Sequence, residues 1–273
     1  MMKFRPALFA MAALSAATAA SAEEIPNHPA LRDRVWVGAG AFFPQTTTSA
    51  QLDSTRSGVG TNIDFEDALG MDRAKTVPTF FGRIRIGERW RIEAEYFRLD
   101  RSGDKQVDRT IQWGDNTFPV NARVQSTFNF SDLRVSGGYS IFKTPDKELG
   151  VGLGLHAASY KASLTGSFNG APLGSESEAI TAPLPVVSAY GAFALTEQWA
   201  VTARMDRFSL KYDKYDGSLT GLGLDLLYQP FRNVGFGLGA RSLFISLSAT
   251  DDQKTVKFRQ AFQGPVLFMN VSF

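Results

Sequence analysis

The chain has 273 residues, 44% of them apolar, and its 29 basic side chains nearly balance 27 acidic ones, for a formal net charge of +2. Charges of both signs are spread along the sequence, so there is no basic field to neutralise phosphates, and no nucleic-acid partner is expected. With no cysteine there is neither a disulfide framework nor a thiolate metal site; one all-β domain is the simplest organisation for this length.

In chain order, Lys3 and Arg5 precede an apolar run over 7–20, and Ala20, Ser21 and Ala22 supply a small-x-small cleavage pattern. This predicts an export signal cut after Ala22 and a mature domain over 23–273. Beyond it no apolar run reaches the roughly 18 residues that a spanning helix needs, so any membrane crossing has to use strands closed into a barrel. His28, beside Pro26 and Pro29, reads as part of an N-terminal tail outside the membrane. Residues 63–72 gather Asp64, Glu66, Asp67 and Asp72. Such a cluster suits a hard cation, but its spacing does not fit the EF-hand, and a solvated outer loop or a short helical plug over the barrel mouth is the preferred reading.

From residue 80 onward the sequence alternates with period two, as barrel strands do when one face meets lipid and the other a lumen. Phe80, Gly82, Ile84 and Ile86 alternate with Phe81, Arg83 and Arg85; after a short turn at 87–89, Trp90, Ile92, Ala94 and Tyr96 alternate with Arg91, Glu93 and Glu95. The hairpin register opposes Ile86 to Trp90 and Arg83 to Glu93, so charges that lipid would reject can satisfy one another inside. Later segments repeat the design, placing His156, Arg204, Asp206, Asp225 and Arg241 on faces otherwise rich in glycine. A soluble sandwich would invert the two faces; the export signal, the lack of cysteine and the aromatic placement favour lipid outside. Phase slips after Tyr96 and Asp206 predict bulges near the outer rim.

Tight connections at 87–89, 144–148, 196–198 and 229–233 alternate with longer ones at about 44–75, 102–120, 167–180, 213–217 and 250–254. This predicts an all-β, closed antiparallel up-and-down transmembrane barrel of ten strands. Eight or twelve stay open because 102–130 can hold a strand extension, a separate hairpin or both. At the C-terminus Leu267, Met269, Val271 and Phe273 recur at every second position. That pattern resembles the terminal strand read by the outer-membrane assembly machinery, and a terminal aromatic suits a membrane interface.

With these residues in view, the chain resembles the small outer-membrane β-barrels of Gram-negative bacteria, the broad group that includes OmpA-type and OmpW-type barrels. Residues 63–72 are similar to an acidic stretch of uncharacterised members of that group. The resemblance implies outer-membrane lipid and the barrel-assembly machinery as partners; it brings no catalytic residues and no cofactor. A lipid-modifying outer-membrane enzyme is a third reading, but catalysis is not expected from the residues, since His156 and Ser159, three apart, fall on opposite faces of a regular strand. The inward set Arg83, Arg85, Arg91, Glu93, Glu95, His156, Arg204, Asp206, Asp225 and Arg241 is compatible with two functions. Mutually paired, it fills the lumen of a structural or surface-interaction protein; unpaired, it lines a small channel for solutes or apolar compounds, with Phe81 and Phe193 as features of the passage.

Overall fold

The computed structural model describes residues 26–273 apart from 55–56, 213–214 and 252–253, so the expected cleavage site lies outside the described residues. A four-residue helix, α1 (Pro29–Arg32), precedes β1 (Val35–Phe42), β2 (Gln45–Leu52), β3 (Ile63–Asp64) and the short helix α2 (Phe65–Leu69). Then follow β4 (Val77–Ile86), β5 (Trp90–Gln106), the small hairpin β6 (Ile111–Trp113) and β7 (Asn116–Phe118), β8 (Arg123–Lys143) and β9 (Lys147–Phe168). The chain ends with β10 (Ala171–Ala194), β11 (Trp199–Tyr212), β12 (Tyr215–Tyr228), β13 (Val234–Asp251) and β14 (Lys254–Ser272).

Ten of these strands form an antiparallel ring in the order β1-β4-β5-β8-β9-β10-β11-β12-β13-β14, closed by β1 on β14. Both expected features of 102–130 are present, because β5 extends to Gln106 and β6–β7 forms a separate hairpin. Closure places Phe273 against the first strand, Val35 and Phe273 each donating a backbone N–H to the other's carbonyl. Pro44 interrupts the first strand: β1 and β2 lie end to end along β14, on 266–272 and 256–263. Gly264 faces this break, where a Cβ would sit 2.1 Å from the Phe43 carbonyl oxygen, so only glycine admits the kinked chain.

The predicted bulges after Tyr96 and Asp206 are absent. Pairing runs unshifted from Trp90↔Tyr139 to Gln106↔Arg123 and from Trp199↔Tyr228 to Tyr212↔Tyr215, while register shifts occur instead at Ser140/Phe142 and Pro172/Gly174. What changes after Tyr96 is the solvent. Below it Trp90 and Ile92 are exposed and Arg91 is buried; above it Arg98 and Asp100 are exposed, and Phe97 and Leu99 are buried. The barrel is therefore apolar outside and charged inside near its tight turns, and the reverse in the far half, where the wall stands in water and needs an ordinary core.

The expected long loop at 167–180 is also corrected. Strands β9 and β10 pair up to Phe168↔Ala171, joined by Asn169 and Gly170 at φ 52° and 82°. Asn-Gly is the sequence signature of this two-residue hairpin turn, in which both residues need positive φ. At 213–217 and 250–254, expected as loops, the strands pair up to Tyr212↔Tyr215 and Asp251↔Lys254. At the tight-turn end aromatic pairs mark the rim of the apolar belt: Trp90 edge-on to Tyr139 at 5.0 Å and Trp199 stacked on Tyr228 at 4.5 Å. Leu267, Met269 and Phe273 project outward there, while Phe268, Asn270 and Ser272 are buried.

Candidate functional site: a filled lumen beneath an apolar chamber

Inward-facing side chains of the lower barrel form one connected charge network. Arg85 holds Glu148 through two bonds of 2.8 and 2.5 Å, both side chains almost fully buried, and Ser140 donates to the same carboxylate at 2.5 Å. Arg91 lies over the Tyr190 ring and pairs with Glu93 at 3.2 Å. Arg134 reaches Glu93 at 3.5 Å and grips Asp206 at 2.8 and 3.1 Å. Arg204 pairs with Glu95 at 2.5 Å, and Arg241 bridges Glu95 at 3.4 Å and Asp225 at 2.6 Å. His156 is bonded to Asp132 at 2.8 Å, with Asp206 3.8 Å from its other ring nitrogen. Ser159 faces outward and bonds Thr181, so the opposite-face reading of His156 and Ser159 holds.

All ten expected lumen residues point inward, but one expected partnership is not made. Arg83 lies opposite Glu93 in register, yet its guanidinium donates to the Ala30 carbonyl at 2.6 Å and sits beside Trp36. Ala30 belongs to α1, which crosses the tight-turn end of the lumen with Leu31 packed on Ala192 and Ala194. His28 is not in a free tail: it is buried, and its Nδ1 accepts from Ala30 N at 3.0 Å as the cap of α1. Burial lowers the His28 pKa to about 4.

Arg134, Asp132 and Glu148 were not anticipated. With them, six arginines (Arg83, Arg85, Arg91, Arg134, Arg204, Arg241) meet six carboxylates (Glu93, Glu95, Asp132, Glu148, Asp206, Asp225) in this network. The inward glycines make room rather than a passage. A Cβ at Gly150 would lie 2.2 Å from the Tyr190 ring, and one at Gly237 2.0 Å from the Phe268 ring. Cavities among these groups measure only about 70 and about 40 Å³. Phe81 faces inward but is stacked on Trp36 at 4.9 Å, and Phe193 faces outward.

Above the charges the interior becomes apolar. Phe97 is ringed by Phe42, Phe130 and Phe262 at centroid distances of 5.5–5.6 Å. The acidic stretch is the helical plug: Phe65 and Leu69 of α2 are buried in the mouth, and Glu66 pairs with buried Arg101 at 2.5 Å. Between these layers and the rim lies a cavity of about 440 Å³, walled chiefly by Phe128, Tyr160, Leu184, Phe208, Leu247 and Phe258.

Beside it the wall is incomplete. Strands β10 and β11 pair only between Val187↔Arg207 and Ala194↔Ala200, although β10 continues along β9 to Ala171 and β11 along β12 to Tyr212. Pro183 and Pro185 lie just above the last pair, and the ladder to β9 passes both unbroken, so the missing proline N–H groups fall on the β11 side.

A closed ten-stranded antiparallel ring with an apolar belt and a charged lumen has the fold of an outer-membrane β-barrel. Among solved structures the chain is similar to the outer membrane protease OmpT of Escherichia coli, with a TM-score of 0.58 and 8% identity over 88% of this chain and 97% of that one. Weaker similarities are to Ail, the attachment invasion locus protein of Yersinia pestis (TM-score 0.33, 10% identity, 86% and 98% covered), and to the Pseudomonas putida toluene transporter TodX (0.35, 8%, 89% and 90%). No protein family matches the sequence, and no curated protein does. At such identity the likeness to OmpT shows a shared fold.

Proposed function

We propose that this chain is an outer-membrane barrel closed to ions, with a structural or surface-interaction role carried by its far half. The observation behind it is the lower lumen: six arginines and six carboxylates joined by ion pairs and hydrogen bonds, with α1 across the end. A selective pore keeps a ring of uncompensated charge facing water; here each carboxylate has a basic partner within 4 Å. His156 serves as one of these partners, clamped between Asp132 and Asp206, which supports a role in packing rather than catalysis.

In the same reading the export signal is cleaved after Ala22, the belt around Ile84, Trp90, Leu153 and Leu238 meets outer-membrane lipid, and the assembly machinery reads the terminal strand. The group containing OmpA-type and OmpW-type barrels is its sequence context, on the strength of 63–72 and the C-terminus. Single-channel recording on the refolded mature protein in planar bilayers tests the closed lumen, with heat-modifiable gel mobility reporting barrel formation. A folded, silent barrel is the expected result. Discrete openings whose ion selectivity shifts in Arg85→Ala would overturn it in favour of a channel.

A further inference from the structure

Resting on the surface-interaction reading, we infer that the unpaired edge of β10 over 175–181 receives an extended segment of another polypeptide as an added antiparallel strand. In an antiparallel ladder the N–H and C=O of one residue point to the same side, and successive residues alternate. Ala194 donates to the Asp146 carbonyl on the β9 side and Leu195 to the Trp199 carbonyl on the β11 side, and the β9–β10 register runs unshifted from Gly174 to Phe193. Odd-numbered residues of this stretch therefore aim away from β9. Ser175, Ser177, Ala179 and Thr181 each present an N–H and a C=O to a side where β11 no longer pairs, and no other backbone group bonds them among the described residues. Pro183 and Pro185 end this edge below and the register shift at Pro172/Gly174 ends it above, leaving about 20 Å of strand open to pairing.

The side chains define what fits. Ile180 lies opposite Tyr160 in the ladder and faces inward with it, yet Tyr160 is 6% exposed and Ile180 56%, because the neighbouring strand that would cover Ile180 is missing. Ala182 continues this apolar face below, and Glu178 and Glu176 follow it above. A strand added antiparallel to β10 sets its alternate residues, read from N to C, opposite Ala182, Ile180, Glu178 and Glu176. The segment that fits is therefore apolar-x-apolar-x-basic-x-basic, its main chain supplying affinity and its alternate side chains the choice of partner. A second copy of this chain in the same bilayer does not fit. Its β10 runs the same way, whereas identical edges join only as an antiparallel pair, and two such edges would also gather four carboxylates on one face.

The probe is the labelled peptide Thr-Val-Thr-Val-Thr-Lys-Thr-Lys-Thr, titrated into the refolded mature protein in lipid nanodiscs and followed by fluorescence anisotropy. Saturable binding is expected. In the fitting register the threonine amides face β10 and the valine and lysine amides face away, so N-methylation of the threonines should abolish saturation, and N-methylation of the others should change affinity by less than threefold. Ala179→Pro takes one donor from the open edge and none from the β9 ladder, as Pro183 and Pro185 do at the same parity; it should keep the barrel and weaken binding at least tenfold. Glu176→Gln with Glu178→Gln should weaken the lysine peptide several-fold and leave its glutamine counterpart unchanged.

No saturation at millimolar peptide overturns the edge as a docking site. Saturation indifferent to Ala179→Pro, or equal losses from the two methylation patterns, overturns strand addition, and an unaltered affinity in the glutamine variant overturns the basic requirement. Sedimentation that finds a dimer in detergent, dissociated by Ala179→Pro, gives the edge to a second copy and overturns the foreign segment. Heat-modifiable mobility, measured in every variant, tells a missing site from a missing barrel. Single-channel recording on the same preparation separates this inference from the reading beneath it: a conducting barrel that binds the peptide fails the closed lumen and keeps the edge, and a silent barrel that ignores the peptide does the reverse.

Discussion

The pair Arg85–Glu148 gives the sharpest test of a lumen held by mutual charge neutralisation. Replacing Arg85 by methionine leaves a carboxylate in a site where both side chains are at most 1% exposed. Removing one member of a buried pair costs about 3–5 kcal/mol. Glu148 retains the Ser140 hydroxyl at 2.5 Å and Arg91 at 3.9 Å, so the lower end is expected, about 3 kcal/mol, or roughly two powers of ten in the folding equilibrium. The double variant Arg85→Met/Glu148→Met removes both charges and restores balance, so it should recover most of that loss. Urea unfolding in lipid vesicles, followed by heat-modifiable mobility, measures all four corners of the cycle. A single variant within about 1 kcal/mol of the parent, or a double variant as unstable as the sum of the singles, refutes the neutralisation argument.

The N-terminal plug should be acid-labile. Because the folded His28 pKa lies near 4, below its ordinary 6.5, its contribution is complete above about pH 6.5 and is lost as pH falls through 4. Protection of the amides of residues 28–34, referred to the intrinsic exchange rate at each pH, should fall over that window and stay flat in His28→Asn, which keeps a capping oxygen without the titration; equal acid response in both would dismiss His28 as the cause. Replacing Pro183 and Pro185 with valine supplies two donors toward β11, and amide protection at 208–211 should increase severalfold; unchanged exchange would mean that something else opens the seam. Gly237→Ala drives a methyl into the Phe268 ring, which is held by Trp36 and Phe81. It should cost about 1–3 kcal/mol, with Phe268→Leu in the same chain recovering part of it by urea titration; no recovery would locate the clash elsewhere.

Strand alternation was enough to read the ring of ten, the inward charges and the outward C-terminal residues, because a period of two is written in every residue of a strand. What it could not fix was which ion pairs form: Arg83 opposes Glu93 across one hairpin, but the barrel brings β4 toward β9 and α1 across the lumen, and long arginines reach the nearest acceptor there. Arg134 and Asp132 were legible in principle, since they alternate with Leu133 and Val135, but the start of β8 was hidden by the uncertain stretch before it. The phase slip after Tyr96 was a true signal of a change in surroundings, not in backbone geometry. Asn169-Gly170 marked a tight hairpin plainly, and the polar run around it belongs to strands standing in water. His28 carried no such sign, because a His-Pro pair reads alike in a tail and in a plug.

The exchange of inside for outside partway up the wall also sets how deep the molecule can sit. Sinking further would carry Arg98, Asp100 and Lys161 toward hydrocarbon, a penalty that grows with depth to about 2–4 kcal/mol per basic residue. Rising would bare Ile92, Leu153 and Leu224 to water at roughly 25 cal/mol per Å². The barrel thus floats at a fixed waterline, and the unzipped edge above Val187 is kept beside the lipid headgroups without any contact dedicated to holding it there.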